Sequence, residues 1–330
     1  MSLDNAEKVD DKAEYKMDLS SEIKELALRY DDQRLSLIMN KMCQNLRAKY
    51  LEYPMLVHLE TQAVCNANCT FCPYDSMERK GVKMSDQLIE KVIDDLSDMP
   101  KDLFYTINPY KVSEPFLEPR LFDILDLMIN RLPGAKISFI SNGAALTEKK
   151  LDNLAKLDAS RFSALKISLN SLDPQEYEST MRIPLHKTLK RLDVLHEYIA
   201  RGKLSIPVNI TRVAFDVESD LKFILEVKRR YPLFSLYVIR RNDWIGSVKI
   251  EKPHEHVPDT PCKRWFDLSI TATGKVALCC MDSEAKYTYG DVNNEHVLDI
   301  YRKSQMELLR LLLPSRKDAD SPCNQCTYLN

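Results

Sequence analysis

No stretch of the 330-residue sequence is apolar for anything near the ~20 residues that a helix needs to cross a bilayer. The first residues are polar and acidic, without the apolar core of a secretory leader. These two absences exclude a helical membrane span and an export signal, so a cytoplasmic protein is expected. Net charge is nearly absent too. With 47 Lys and Arg against 49 Asp and Glu, a formal charge of −2 gives no electrostatic reason to expect nucleic-acid binding. Internal repeats and low-complexity linkers are also missing. Cysteine, by contrast, is plentiful, at nine residues. Without an export signal these argue against a disulfide framework, and their grouping argues for metal ligation. Cys65, Cys69 and Cys72 form one group, and Cys262, Cys279, Cys280, Cys323 and Cys326 a second. Cys43 stands alone in a helical pattern and reads as a buried packing residue.

Length and pattern bound the fold. Three hundred and thirty residues suit about two domains of ~150 residues or one large barrel with an appendage. Residues 1–18 are charged, without a periodic apolar face. From about 20 to 50, Ile23, Leu26, Ala27 and Tyr30, then Leu35, Ile38, Met39, Met42 and Leu46, recur at helical spacing. Apolar, β-branched or aromatic runs follow at 55–60, 103–108, 136–141, 164–169, 206–213 and 234–240. Amphipathic stretches alternate with them near 85–98, 119–131, 147–157, 185–201 and 217–231, two of which start after a capping hydroxyl, Ser85 and Thr147. Regular β–α alternation predicts a parallel sheet with right-handed crossovers. Six strands fit an α/β fold in the form of an open, partial (β/α)6 barrel, with chemistry at the C-terminal strand ends. The expected division is an N-terminal helical segment at 1–54, the barrel at 55–250 and a small cysteine-rich domain at 251–330. The segment 249–261, with three prolines and two histidines, is the expected connector.

The run Cys65-Asn-Ala-Asn-Cys69-Thr-Phe-Cys72-Pro directly follows the first strand. Three thiols at this spacing suit an iron–sulfur cube with one iron left without a protein ligand. Zinc is the competing use, but a structural zinc site normally wants four ligands, and the loop holds no fourth. This motif resembles that of the radical S-adenosylmethionine (SAM) superfamily. The resemblance implies a [4Fe-4S] cluster on Cys65, Cys69 and Cys72 whose open iron binds SAM, with reductive cleavage to a 5′-deoxyadenosyl radical. It implies cofactor contacts for Phe71, for Glu114 and Pro115, for Ser141 and Asn142, and for Ser168 and Asn170. The family's Gly-Gly-Glu-Pro is Val112-Ser-Glu114-Pro115 here, so both glycines are missing.

In the C-terminal stretch, Leu268–Ile270 and Lys275–Leu278 read as hairpin strands joined by Thr271-Ala-Thr-Gly274. Cys262, one of Cys279 and Cys280, and the Cys323/Cys326 pair make four ligands, which a zinc ribbon would also use. The arrangement resembles the SPASM/twitch extension of radical SAM enzymes and implies one auxiliary [4Fe-4S] cluster. The glycine spacing favours Cys279 as the ligand, leaving Cys280 for packing or for hydrogen donation. Strand ends offer Lys166, Arg182, Asn209, Arg212, Tyr237, Arg240, Arg241, Asp243 and Trp244 as substrate contacts, with Cys280, Arg240, Tyr237 and Arg212 the candidate catalytic residues. His254 and His256 read as exposed loop residues, and His186–Arg191 as the solvent face of a helix.

The overall arrangement is similar to dehydrogenases of the deoxy-scyllo-inosamine type. That likeness implies a radical SAM oxidoreductase acting on a small polar metabolite such as an amino sugar or cyclitol, with the auxiliary cluster as electron acceptor. A flavodoxin or ferredoxin would serve as electron donor. Epimerisation or peptide modification by an enzyme of the same SPASM class is the alternative. The third possibility is a protein whose clusters only hold the fold.

Overall fold

The computed structural model describes residues 20–250 and 256–329. The expectation for residues 1–18, and His254 within the connector, lie outside the described residues. Six parallel strands form the barrel wall: β1 (Leu56–Leu59), β2 (Tyr105–Asn108), β3 (Ala135–Ser141), β4 (Phe162–Ser168), β5 (Val208–Val213) and β6 (Ser235–Ile239). Three more, β7 (Asp267–Ile270), β8 (Lys275–Ala277) and β9 (Thr288–Asp291), come from the C-terminal region. All nine join one sheet in the order β6-β5-β4-β3-β2-β1-β7-β8-β9. Pairing is parallel from β6 to β7 and antiparallel beyond. The wall therefore stays open, and the C-terminal hairpin is hydrogen-bonded straight onto the first barrel strand.

Ten helices accompany the sheet among the described residues: α1 (Ser20–Arg29), α2 (Asp32–Lys49), α3 (Asp86–Ser97), α4 (Leu121–Arg131), α5 (Glu148–Leu154), α6 (Pro174–Met181), α7 (Leu185–Ala200), α8 (Val217–Arg230), α9 (Val297–Tyr301) and α10 (Ser304–Leu311). None is long and apolar enough to cross a membrane. The crossover helices form for the reasons the sequence offers. In α3, Ile89, Val92, Ile93 and Leu96 are buried at helical spacing, and the Ser85 hydroxyl accepts from the Leu88 N–H at 3.2 Å. Each such side chain, once buried, contributes roughly 1.5–3 kcal/mol. Thr147 is a correction: it precedes α5, but its hydroxyl makes no capping bond. The basic face of α7 is as expected, with His186, Lys187 and Lys190 exposed.

The N-terminal stretch is helical as expected but is broken into two helices at Asp31, which caps α2 with its side chain on the Arg34 N–H. Two features depart from the sequence expectation. Helix α6 was not expected; it opens with Asp173 as cap and Pro174 in its first turn. β9, α9 and α10 were also missed, being short elements whose burial depends on the hairpin they pack against. The hairpin turn itself is as expected: Gly274 sits at φ +89°, and a Cβ there would collide with the Asn293 side chain.

Helix α2 carries Leu35, Met39, Cys43 and Leu46 into a cluster with Cys262, Trp265, Phe266, Ala319 and Tyr328. The N-terminal segment thus covers the second cysteine region. Cys43 is wholly buried there, as its reading as a packing residue requires.

Candidate active site

The cysteine loop leaves the C-terminal end of β1 and is braced by α6. The Thr70 N–H bonds the Thr180 carbonyl at 2.9 Å, and Cys69 Sγ lies 3.6 Å from Met181 Sδ. The Tyr74 hydroxyl accepts from the Cys65 N–H at 2.9 Å. Burial pushes all three thiols up, Cys65 to about 12 and Cys72 to about 11. Cys69 is pushed up furthest, with Cys72 and Cys65 adding to the effect of burial. Three half-buried thiols whose anions are this costly gain most from cations that stabilise them as thiolates.

A buried relay of polar groups ties this loop to β2 and β3. Glu114 Oε1 accepts from the Ser141 hydroxyl at 2.8 Å and from the Phe116 N–H at 3.1 Å, and Oε2 accepts from the Asn142 N–H at 2.8 Å. Asn142 Nδ2 donates to Asn66 Oδ1 in the cysteine loop at 2.8 Å. Burial raises the Glu114 pKa, against these hydrogen bonds. Where the glycines are missing, the loop's N–H groups serve the protein: Val112 donates to Glu60 Oε1 and Glu114 to the Val64 carbonyl.

Glu60 was missed from the sequence. It is fully buried, pairs with Arg79, and also accepts from the Ala272 N–H of the hairpin turn at 2.9 Å. Arg79 in turn donates to the Ser283 carbonyl at 2.6 Å. One ion pair thereby knits the end of β1, the loop after β2 and the C-terminal region. An acidic residue closing an otherwise apolar strand was the available signal.

Strand register sorts the remaining candidates. Ile140, Lys166 and Asn209 stand side by side, as do Ser168, Thr211 and Tyr237. Ile140 and Tyr237 are 39% and 38% exposed, whereas Leu165, Ile167 and Ile210 on the opposite side are fully buried. The first rows therefore form the open concave face, and the second faces the helices. Arg212 falls in the helix-facing row, beside Val238. There its guanidinium pairs with Asp220 of α8 at 2.7 Å and covers the Phe223 ring. Its candidacy as a substrate residue is thus corrected to a wall residue. Arg240 is buried and pairs with Asp32 at the start of α2 at 2.7 Å, away from the concave face. Asn170 spends its side chain on the protein, accepting from the Val213 N–H at 2.8 Å and reaching Met181 Sδ at 3.0 Å. Ser168 remains half-buried on the concave face, 3.5 Å from the Thr211 hydroxyl. Arg182 is exposed near Asp75, and His256 is exposed.

The segment after β6 touches both cysteine regions. Trp244 Nε1 donates to the Phe71 carbonyl at 2.9 Å, and the indole packs against the same apolar cluster (Ala63, Tyr74, Met77, Val112 and Ala272) as Cys65 and Cys72. Its neighbour Ile245 lines a cavity with Cys262, Cys279, Cys323 and Cys326, about 410 Å³ of atom-free space with open solvent included. Both residues hold positive φ, +51° and +55°. For a β-branched residue such as Ile245 that conformation costs on the order of 1–3 kcal/mol.

Cys280 does not line that cavity. It lies on the barrel side with His58 and Asp267, their ligand atoms within 4.8 Å of one another. Burial, with Arg264 and Lys111 adding to it, lowers the His58 pKa to about 3, so the ring is neutral. His58 Nε2, Asp267 Oδ1, Asn108 Oδ1 and Ser269 Oγ are all buried without a protein partner. Arg264, 2.9 Å from the Asp267 carboxylate, already supplies the positive charge that a cation there would bring.

The donor sets fit clusters better than single ions. Tetrahedral zinc at Zn–S about 2.3 Å would draw its sulfurs to within roughly 4 Å of one another. No three of the nine cysteine sulfurs lie within 4.8 Å of one another; among the described residues only His58, Asp267 and Cys280 do. All nine cysteines are thiols rather than disulfides.

Comparison with known proteins agrees with this chemistry. The profile of the radical SAM superfamily matches residues 59–224, and that of the SPASM iron–sulfur cluster-binding domain matches residues 262–327. The chain belongs to the radical SAM superfamily. It is an oxidoreductase whose cofactors are SAM, a [4Fe-4S] cluster with an open iron and an auxiliary [4Fe-4S] cluster. It is similar to the S-adenosyl-L-methionine-dependent 2-deoxy-scyllo-inosamine dehydrogenase of Niallia circulans, 28% identical over 278 residues, 83% of this chain and 93% of the relative. Among solved structures, BtrN in complex with AdoMet and 2-DOIA superposes with a TM-score of 0.59 at 16% identity, covering 83% of this chain and 93% of that one. Streptococcus suis SuiB bound to the precursor peptide SuiA gives 0.61 at 13% identity, covering 84% and 70%. At these identities the structures share the fold alone.

Proposed function

We propose that this protein dehydrogenates a secondary alcohol of a small polar metabolite, a cyclitol or amino sugar, to a carbonyl compound. The observation that carries the reading is a concave face bearing Lys166, Asn209, Ser168 and Tyr237, with Cys280 of the second cysteine region beside His58 of β1, in a chain whose relative, matched over 93% of its own length, is a dehydrogenase. Cys65, Cys69 and Cys72 hold the first cluster, and Cys262, Cys279, Cys323 and Cys326 the auxiliary one, the barrel taking residues 55–250 and the auxiliary domain 251–330. When bound, SAM and the two clusters supply reductive cleavage, hydrogen-atom abstraction and an acceptor for the second electron.

The chain's own residues orient and shield. Glu114, held by Ser141 and Asn142, presents a carboxylate to the methionine ammonium. Phe71 offers its ring to the adenine, and Ser168 its hydroxyl to the cofactor. Tyr237 and Asn209 offer polar contacts to the substrate. Leu35, Met39 and Leu46 of α2 keep water from the auxiliary site. A flavodoxin or ferredoxin supplies the reducing electron. Anaerobic reconstitution with a reductant tests the reading: one SAM should be consumed per carbonyl formed, and SAM spent without a change in substrate oxidation state sinks it.

A second reading draws on Cys280, whose thiol stands off the four-cysteine cavity beside His58. There it is placed to donate a hydrogen atom in an epimerisation. Deuterium entering the product from heavy water, and lost in Cys280→Ala, distinguishes the two.

A further inference from the structure

Lys166 stands on the concave face of β4, between Ile140 of β3 and Asn209 of β5. It is partly buried, and its ammonium makes no hydrogen bond or ion pair with any described residue. Two other cations near the barrel mouth, half-buried Arg264 and buried Lys111, are occupied. Arg264 is committed to Asp267 and to the Tyr328 hydroxyl, and Lys111 to the Asp282 carbonyl at 2.6 Å. Elsewhere the buried cations Arg212 and Arg79 have acids of their own, Asp220 and Glu60. Lys166 has none, and the charge that acts on it is a like one: burial first, then the Arg264 guanidinium, lowers its pKa below the ordinary lysine value. A lysine kept inward beside a second cation costs free energy that an apolar residue at the same position would not. An anion arriving from the cavity would reverse that cost.

We propose that Lys166 is the docking point for an acidic substituent, a carboxylate or a phosphate, on the polyol ring that enters the barrel. This rests on the dehydrogenase reading for the fate of the ring, not for its charge. An amine elsewhere on the ring is compatible with the site. An ammonium set against Lys166 is not, so the substrate differs in charge at that position from the aminocyclitol in the relative's name.

Four probes that share one hexose ring test this: glucose, glucosamine, glucuronate and glucose 6-phosphate, with inorganic phosphate as the minimal anion. Each is titrated calorimetrically into the anaerobically reconstituted holoenzyme with SAM present. The wild type should bind at least one acidic sugar about tenfold or more tightly than glucose, with glucosamine no better than glucose. Glucuronate against glucose 6-phosphate tells carboxylate from phosphate. Lys166→Met should erase the preference, and Lys166→Arg should keep part of it, with iron content and circular dichroism reporting that both variants fold. Equal binding of glucose or glucosamine overturns the proposal. So does a preference that survives Lys166→Met, or failure of every acidic probe, inorganic phosphate included, to bind. An acid that binds through Lys166 but is never oxidised sinks the dehydrogenase reading and leaves the anion site. Oxidation of a neutral or aminated ring without an anion preference does the reverse.

Discussion

Cys65, Cys69 and Cys72 sit in a run of eight residues, whereas Cys262, Cys279, Cys323 and Cys326 are gathered from across residues 262–326 into one cavity. The first set needs only a loop at a strand end, braced by Met181 and Tyr74. The second needs the β7–β8 hairpin docked on β1, the C-terminal turns folded back, and α2 packed over Cys262. A local site is specified by spacing. A site assembled from distant segments is specified by everything that holds those segments together, and it inherits their stability.

The largest effect expected from breaking this comparison is at the local site. Replacing Cys65, Cys69 or Cys72 by Ala should abolish SAM cleavage and lower iron from about eight to about four per chain, measured by iron assay and chromatography of cleavage products. Next comes the assembled site. Cys279→Ala should lower iron to about four per chain while Cys280→Ala leaves about eight; the opposite pattern would exchange their roles. Third, Arg212→Ala should destabilise the fold by about 3–5 kcal/mol, because Asp220 is left buried without its partner. The double change Arg212→Met with Asp220→Leu should recover most of that in a denaturant titration. SAM affinity unchanged in the folded Arg212→Ala protein would confirm the side chain as wall rather than cavity.

Smaller effects sharpen the link between the two sites. Glu114→Gln exchanges one acceptor oxygen for an NH₂ facing donors, so SAM affinity should fall about tenfold, roughly 1.4 kcal/mol, by calorimetry. Trp244→Phe removes the indole donor to the Phe71 carbonyl, a bond worth about 1 kcal/mol. A few-fold loss in SAM affinity is expected, with auxiliary iron unchanged.

Much of the barrel was legible because each strand was a short apolar run and each crossover helix repeated its apolar residues at 3.6 spacing. Helix α6 was not, since only Tyr177 and Met181 of its eight residues are buried. Its importance lies in what Met181 touches, and periodicity carries no such information. The same limit applies to Arg212. Its position after apolar Ile210 looked like a strand end reaching the cavity, and the register turned it to the helix side.

The amino-acid order alone determined which groups of thiols exist, where the strands and most helices run, and hence the superfamily. Those depend on neighbours along the chain, where spacing and period suffice. Tertiary structure decided which of two adjacent cysteines faces the four-thiol cavity, which arginines are wall, and that Lys166 faces inward without an acid. Each of these depends on which side of a strand meets which distant partner, and a one-residue change of register would reverse the answer.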